Sequence, residues 1–262
     1  MKLLVKLGGT LLDAPETRDA LAVQLAGARA AGIDLVVVHG GGKQMTRYLA
    51  ERGIESRFVN GLRVTGPETI DAVLKVFAGT VNHELVAALN RAGVLAVGLT
   101  GIDALLAEAE QMDPELGAVG RVVRSNAGVL KVLVEGAYVP VVACVGGDRN
   151  GNIYNVNADQ MAVACASAFR AEQLVFLTDV EGVMDASKTV RPQLTGSECR
   201  RLIADGVATG GMQAKLEAAL AALAGGVASV RIAPGAVPGI LPRLLAGEAL
   251  GTRIIAAEGS AA

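Results

Sequence analysis

Leu35-Val36-Val37-Val38-His39-Gly40-Gly41-Gly42 decides the fold. Its apolar run is continuous, without the alternation of a half-buried strand, and reads as a parallel strand covered on both faces. Glycines follow at once. In open α/β sheets, ligands lie beyond the carboxyl ends of the strands. A glycine there lets backbone N–H groups approach an anion closely, with a helix N-terminus behind them. The same arrangement opens the chain, where the run Leu3–Leu7 leads into Lys6-Leu7-Gly8-Gly9. Two such turns on successive strands point to a phosphate site with two cradles.

Outward from these turns, the runs Val94–Leu99, Val139–Val145, Leu174–Leu177 and Val230–Ala233 repeat the strand pattern. Helical periods lie between them. Residues 16–31 place Leu21, Leu25 and Ala28 on one face. Residues 67–91 open with Pro67 at a first-turn position and carry the stripe Ile70, Val73, Leu74, Phe77, Val81, Leu85 and Leu89. Residues 212–224 group Met212, Leu216, Leu220 and Leu223. The alternation predicts an α/β fold, a three-layer αβα sandwich around a mostly parallel open sheet. Asn60-Gly61 between Ser56–Val59 and Leu62–Thr65 predicts a hairpin closed by a type I′ turn. Residues 105–124 read as a second antiparallel excursion. Periodicity fades over 182–196 and returns as helix over 197–225, which predicts an N-terminal lobe of residues 1–170 and a C-terminal lobe of 171–262.

The 262 residues are 52% hydrophobic and 19% charged, which excludes a disordered chain. Aromatic residues make up 3%, with no Trp, so base-stacking platforms are not expected. The net charge of -2, without a basic run, argues against nucleic-acid and anionic-membrane partners. No run of about 18 apolar residues free of charge or glycine occurs, so no spanning helix is expected. Cys144, Cys165 and Cys199 are odd in number and form no CxxC pair, which predicts reduced thiols and no structural zinc. The N-terminus enters a strand without a signal-peptide pattern, which points to the cytoplasm.

Named phosphate motifs fail. Gly42-Lys43 is followed by Gln44, Val37 stands where a Walker loop needs glycine, and no GxGxxG follows a strand. Lys6 ends an otherwise apolar strand, where an ammonium needs a partner; the plain alternative is a salt-bridged strand end. Lys215 is placed in the first turn of a helix after Gly210-Gly211, where the macrodipole disfavours a cation unless a phosphate arrives; the alternative is a solvated lysine. Asn157 and Gln160 have capping-box spacing, which leaves Asn155 and Asp159 to explain. Asp159 either neutralises a helix dipole or holds Lys6 and Lys215. Arg63, beside the hairpin turn, suits bidentate recognition of a carboxylate or is a surface arginine. His83 falls on the exposed side of the long helix, and nothing near His39 in the sequence suggests a nucleophile for it to activate. No Ser-His-Asp pattern and no metal cluster appear. Phosphoryl transfer to a carboxylate needs neither, because that nucleophile is already ionised at neutral pH. Two lysines, backbone N–H groups and Mg²⁺ would meet its electrostatic demand.

These segments together resemble the acetylglutamate kinases, of the amino acid kinase fold. The likeness runs nearly end to end: Lys6-Leu7-Gly8-Gly9, Val38–Gly42, Asn60–Thr65, Gly79–Asn82, Ala96–Leu99, Asn155–Gln160, Leu177–Val183, Gly211-Met212 with Lys215, and Gly251–Ile254. The resemblance implies transfer of the γ-phosphoryl of MgATP to the side-chain carboxylate of N-acetyl-L-glutamate, a step of arginine biosynthesis. It implies Lys6 and Lys215 as transition-state lysines, Asp159 as their orienting acid, and Gly9 and Gly41 as backbone donors. Gly41, Gly42, Arg63 and Asn155 match the substrate site, with Arg63 on the α-carboxylate. Thr178, Asp179, Val180, Glu181, Gly182, Val183, Met184, Val207, Ala208 and Thr209 match the nucleotide site. Mg²⁺ is held mainly by phosphates, so no residue is assigned as a metal ligand. A cytoplasmic homodimer, joined through helix 67–91, is the expected assembly. A first strand starting at residue 2 fits the arginine-insensitive type. Gly101–Leu106 lacks a lysine common in the family at this point, which bears on the lid and the acyl group. Alternatives within the resemblance are kinases of N-succinylglutamate or carrier-linked aminoadipate; outside it stands a silent nucleotide or amino-acid sensor.

Overall fold

The computed structural model describes residues 1–256. In chain order it forms β1 (Lys2–Leu7), α1 (Pro15–Ala30), β2 (Asp34–His39), α2 (Gly42–Ala50), β3 (Phe58–Val59), β4 (Leu62–Arg63) and α3 (Pro67–Val73). A π-helical segment, Leu74–Val81, joins α3 to α4 (Asn82–Arg91). Then come β5 (Ala96–Thr100), β6 (Ala107–Gln111), β7 (Val119–Ser125), α5 (Gly128–Glu135), β8 (Val139–Ala143), β9 (Val145–Gly147) and β10 (Ile153–Val156). The remainder is α6 (Ala158–Phe169), β11 (Gln173–Thr178), β12 (Gln193–Thr195), α7 (Gly196–Ala204), α8 (Gly210–Ala224), β13 (Ser229–Pro234), α9 (Ile240–Leu245) and β14 (Thr252–Ile255).

An eight-stranded sheet runs β12-β14-β13-β11-β1-β2-β8-β5. The six strands from β13 to β5 are parallel; β14 runs antiparallel to β13 and carries β12 with it. Every residue of β1 and β2 after the first is buried, as their unbroken apolar runs require when helices cover both faces. Helices α1, α4 and α9 form one layer; α6 and α8 pack together in the other. The expected α/β sandwich is the fold observed.

Three local readings change. The run Val139–Val145 is two strands: Cys144 interrupts it, β8 stays in the main sheet, and β9 turns into a closed four-stranded barrel with β6, β7 and β10. Gly120 permits this closure, since a Cβ there would lie 2.4 Å from the Tyr154 Cβ. The helical stretch after residue 196 is two helices, α7 and α8, with 205–209 between them. The long helix 67–91 contains the π-helical segment, which apolar spacing cannot distinguish from a regular α-helix. By length and composition alone this helix would reach across a membrane, but charged residues and Gly79 interrupt it and half of its most apolar window is buried inside the protein. The hairpin is as expected: Asn60 and Gly61 have φ of 50° and 79°, the two positive angles a type I′ turn needs.

Candidate active site

The carboxyl ends of β1, β2 and β11 lie side by side, and their outgoing loops meet. Lys6 pairs in register with Val38 and Phe176. The Gly8 N–H donates to the Leu177 carbonyl at 2.9 Å, which ties the first glycine turn to the end of β11. The two glycine turns touch: a Cβ on Gly9 would stand 3.0 Å from the Gly42 nitrogen and 3.2 Å from that of Gly41. A side chain there would press on the backbone of the second turn, which would have to give by a few tenths of an ångström.

Lys6 occupies the strand position whose side chain meets the first turn of α6. Its Nζ lies 2.6 Å from Asp159 Oδ1, and both side chains are 9% exposed. Asn157 caps α6, accepting the N–H groups of Asp159 and Gln160 at 2.9 and 3.3 Å; this cap fixes where Asp159 stands. Lys215 donates from Nζ to Asp159 Oδ2 at 2.9 Å. Lys215 belongs to the second turn of α8, one turn later than the sequence suggested, because the helix begins at Gly210. That extra turn lets the side chain reach back toward α6. Burial pushes the Asp159 carboxyl upward, but the Lys6 and Lys215 ammonium groups outweigh it and hold the acid below its usual range. Lys6, Asp159, Lys215, Gly210 and Gly211 line a cleft of about 940 Å³.

Arg63, on β4 at the base of the hairpin, is buried rather than a solvated surface residue. Its Nη1 donates to Ser56 Oγ, and its Nη2 donates to Thr46 Oγ1 at 2.8 Å and to the Gly42 carbonyl at 3.2 Å. The guanidinium carbon sits 4.6 Å from the Phe58 ring centre. Of the five N–H donors of an arginine, three are engaged, leaving two for a ligand. Desolvation lowers the Arg63 pKa, and a guanidinium stays charged regardless. Asn155 joins the group through Thr65: its Nδ2 donates to Thr65 Oγ1 at 3.1 Å, and that hydroxyl donates to the Arg63 carbonyl at 2.8 Å.

The nucleotide candidates separate. Thr178 ends β11, and its Cα would be 3.7 Å from a Cβ on Gly8. Its hydroxyl donates to Asp179 at 3.0 Å. Downstream, Val183 donates its N–H to Thr252 Oγ1 at 2.8 Å, and Met184 is exposed. Val207, Ala208 and Thr209 lead directly into α8, where Thr209 stands at the N-cap without a side-chain cap bond. Residues 180–184 are thus fastened to β14, with no hydrogen bond to the lysine pair.

Sequence reasoning missed the supporting residues. Thr46, Ser56 and Thr65 look like ordinary surface hydroxyls in the sequence. Thr252 belongs to the Gly251–Ile254 match, which gives it no role; its hydroxyl also donates to the Arg191 carbonyl at 2.7 Å. The resemblance covers Asn82 and His39, buried together, without giving either a role.

Residues 1–234 match the amino acid kinase family. A protein of Solibacter usitatus, named acetylglutamate kinase, is 73% identical over 98% of this chain and all of that one. An acetylglutamate kinase of Acidobacterium capsulatum is 44% identical, again over 98% of this chain and all of its own. Among solved structures, N-acetylglutamate synthase from Neisseria gonorrhoeae, complexed with coenzyme A and N-acetyl-glutamate, superposes with a TM-score of 0.87 at 27% identity. The match covers 97% of this chain and 59% of that longer protein.

Proposed function

The chain belongs to the amino acid kinase family, and from that premise we propose that it phosphorylates the side-chain carboxylate of N-acetyl-L-glutamate with ATP, a step of arginine biosynthesis. The observation that carries this reading is the Asp159 carboxylate bound by a lysine on each oxygen, beside two abutting glycine turns. The attacking carboxylate needs no general base, being ionised at neutral pH. Its difficulty is approaching a polyphosphate of like charge. Lys6 and Lys215 supply fixed positive charge where negative charge accumulates, and Asp159 keeps their heads at a set separation. Gly9 and Gly41 add backbone donors to the transferring group.

On the acceptor side, Arg63 takes the α-carboxylate with its two spare donors, while Gly41, Gly42 and Asn155 complete the substrate site. Thr178–Met184 and Val207–Thr209 bind the nucleotide. Mg²⁺ neutralises polyphosphate charge when bound. Among the described residues, no group of His, Cys, Asp and Glu is placed to hold a metal, and Asp159 is engaged by two lysines. These residues fit a Mg²⁺ that travels on the nucleotide phosphates. The sheet supports a division of labour: β1, β2, β5 and β8 belong to a lobe of residues 1–170 that takes the acyl amino acid and dimerises. The strands from β11 onward belong to a nucleotide lobe, 171–262. Helix 67–91 is the dimer face of a cytoplasmic homodimer, a state that sedimentation would test. Three free, buried cysteines fit a reducing compartment.

The experiment is hydroxamate trapping of the acyl phosphate made by purified protein with ATP. Product with N-acetylglutamate is expected. Product only with the N-succinyl analogue would move the substrate, and none with any acyl amino acid would overturn the reading.

A further inference from the structure

His39 closes β2 directly before the glycine turn and is fully buried. Its ring touches two groups. Nδ1 lies 2.9 Å from the Gly40 carbonyl oxygen, and Nε2 lies 3.0 Å from Asn82 Nδ2. Asn82 fixes the arrangement. Its Nδ2 also donates to the Val141 carbonyl at 2.9 Å, and a carbonyl only accepts, so this atom is the amide nitrogen. An amide NH₂ carries two hydrogens. One goes to Val141, and the other points at His39 Nε2, which must therefore be the bare acceptor. The ring proton resides on Nδ1 and is donated to the Gly40 carbonyl. Burial supports the same state by lowering the His39 pKa to about 4, so the ring is neutral at pH 7.

Holding that carbonyl has a consequence one bond away. In a trans peptide, the C=O of residue 40 and the N–H of residue 41 point in opposite directions. A carbonyl held toward His39 turns the Gly41 N–H away from the ring. That N–H has no hydrogen-bond partner among the described residues, and its nitrogen faces the Gly9 turn. Phe77 closes the other side of Gly41, where a Cβ would come within 2.8 Å of the ring.

We propose that His39, set as the neutral Nδ1–H tautomer by Asn82, is a positioning residue that aims the Gly41 N–H at the transferring phosphoryl group. This rests on the function given above, in which Gly41 is a donor. The surroundings fit such a role. The π-helical segment delivers both Phe77 and, at its end, Asn82. Gly98 leaves room for the amide, since a Cβ there would fall 2.0 Å from Asn82 Oδ1.

Nitrogen NMR of ¹⁵N-histidine-labelled wild-type protein tests the tautomer without relying on activity. The chain has two histidines, and His83→Gln, at an exposed site, assigns the signals. A protonated Nδ1 and a bare Nε2 are expected for His39; a proton on Nε2 overturns the proposal. Kinetics test the consequence. In His39→Asn, the amide nitrogen can take the place of Nδ1 and keep the bond to Gly40, so kcat is expected within about threefold of wild type. His39→Gln carries its amide toward the Nε2 side, and its kcat is expected to fall about tenfold or more, with both KM values nearly unchanged. Equal kcat in the two variants, both folded by circular dichroism, would overturn the proposal; if either unfolds, the wild-type tautomer decides. A wild-type protein that makes no acyl phosphate would overturn the function and this role with it. A proton on Nε2 in an active enzyme would overturn this role alone.

Discussion

Lys215 Nζ donates to Asp159 Oδ2 at 2.9 Å across 56 residues of sequence. With Lys6 on the other oxygen, one acid sets the positions of two cations that would otherwise repel each other. Lys6→Ala and Lys215→Ala are each expected to lower kcat by about 10²–10³, the range for losing one preorganised charge stabiliser. A coupled ADP-release assay measures this, and normal turnover in either variant would remove that lysine from the mechanism.

Arg63→Ala bears on the acceptor substrate. Its engaged donors hold Ser56, Thr46 and the Gly42 carbonyl, which leaves two N–H groups for a carboxylate. A rise in KM for N-acetylglutamate of tenfold or more is expected, since a hydrogen bond to a charged group contributes about 1.5–3 kcal/mol. Steady-state kinetics with each substrate varied decide the matter; an effect confined to ATP would mean that the acyl amino acid lies elsewhere.

Thr252→Val tests the nucleotide side. The hydroxyl accepts from Val183 N–H and donates to the Arg191 carbonyl. Valine keeps the shape and leaves two backbone groups unpaired, at a cost of about 1–3 kcal/mol each where buried. Lower denaturant stability with a raised KM for ATP, and an unchanged KM for the acyl substrate, is the expected pattern. An unaltered KM for ATP would detach segment 178–184 from the nucleotide.

Acid should weaken the protein through His39. Its folded pKa, about 4, lies below the unfolded 6.5, so the unfolded chain binds the proton more readily. Stability is therefore complete above pH 6.5 and falls as the pH drops toward 4, by about 3 kcal/mol in all. Asp159, held below its ordinary range, adds a further loss at still lower pH. Urea titrations at pH 7 and 4.5 should show this difference in wild type and a smaller one in His39→Asn. Equal differences would mean that the imidazole is not confined as the structure places it.

The sandwich was readable because both-faces burial leaves an unmistakable trace: Leu3–Leu7 and Leu35–Val38 have no polar residue on either side of the pleat, except Lys6 at a strand end. That exception led to the site. The turn at Asn60-Gly61 was readable because few residues tolerate positive φ twice in succession. Other features leave no such trace. Cys144 looks like one more apolar residue in Val139–Val145, yet the chain changes sheets there. Phe77, Val81 and Leu85 are spaced four apart, which suits a regular helix and hides the π-helical segment. The pairing of His39 with Asn82 depends on two elements meeting in space, and no local pattern encodes that meeting.

The wide turn between Leu74 and Val81 makes the long helix intolerant of trimming. A π-helical segment accommodates more residues per turn than an α-helix, so deleting a single amino acid within it would yield a more regular rod. Each residue of an α-helix advances about 100° around the axis. The shortened rod would swing one half against the other, carrying the Asn82 amide off His39 or the Phe77 ring off Gly41. In this stretch the number of residues matters as much as their identity, and a better helix would make a poorer catalyst.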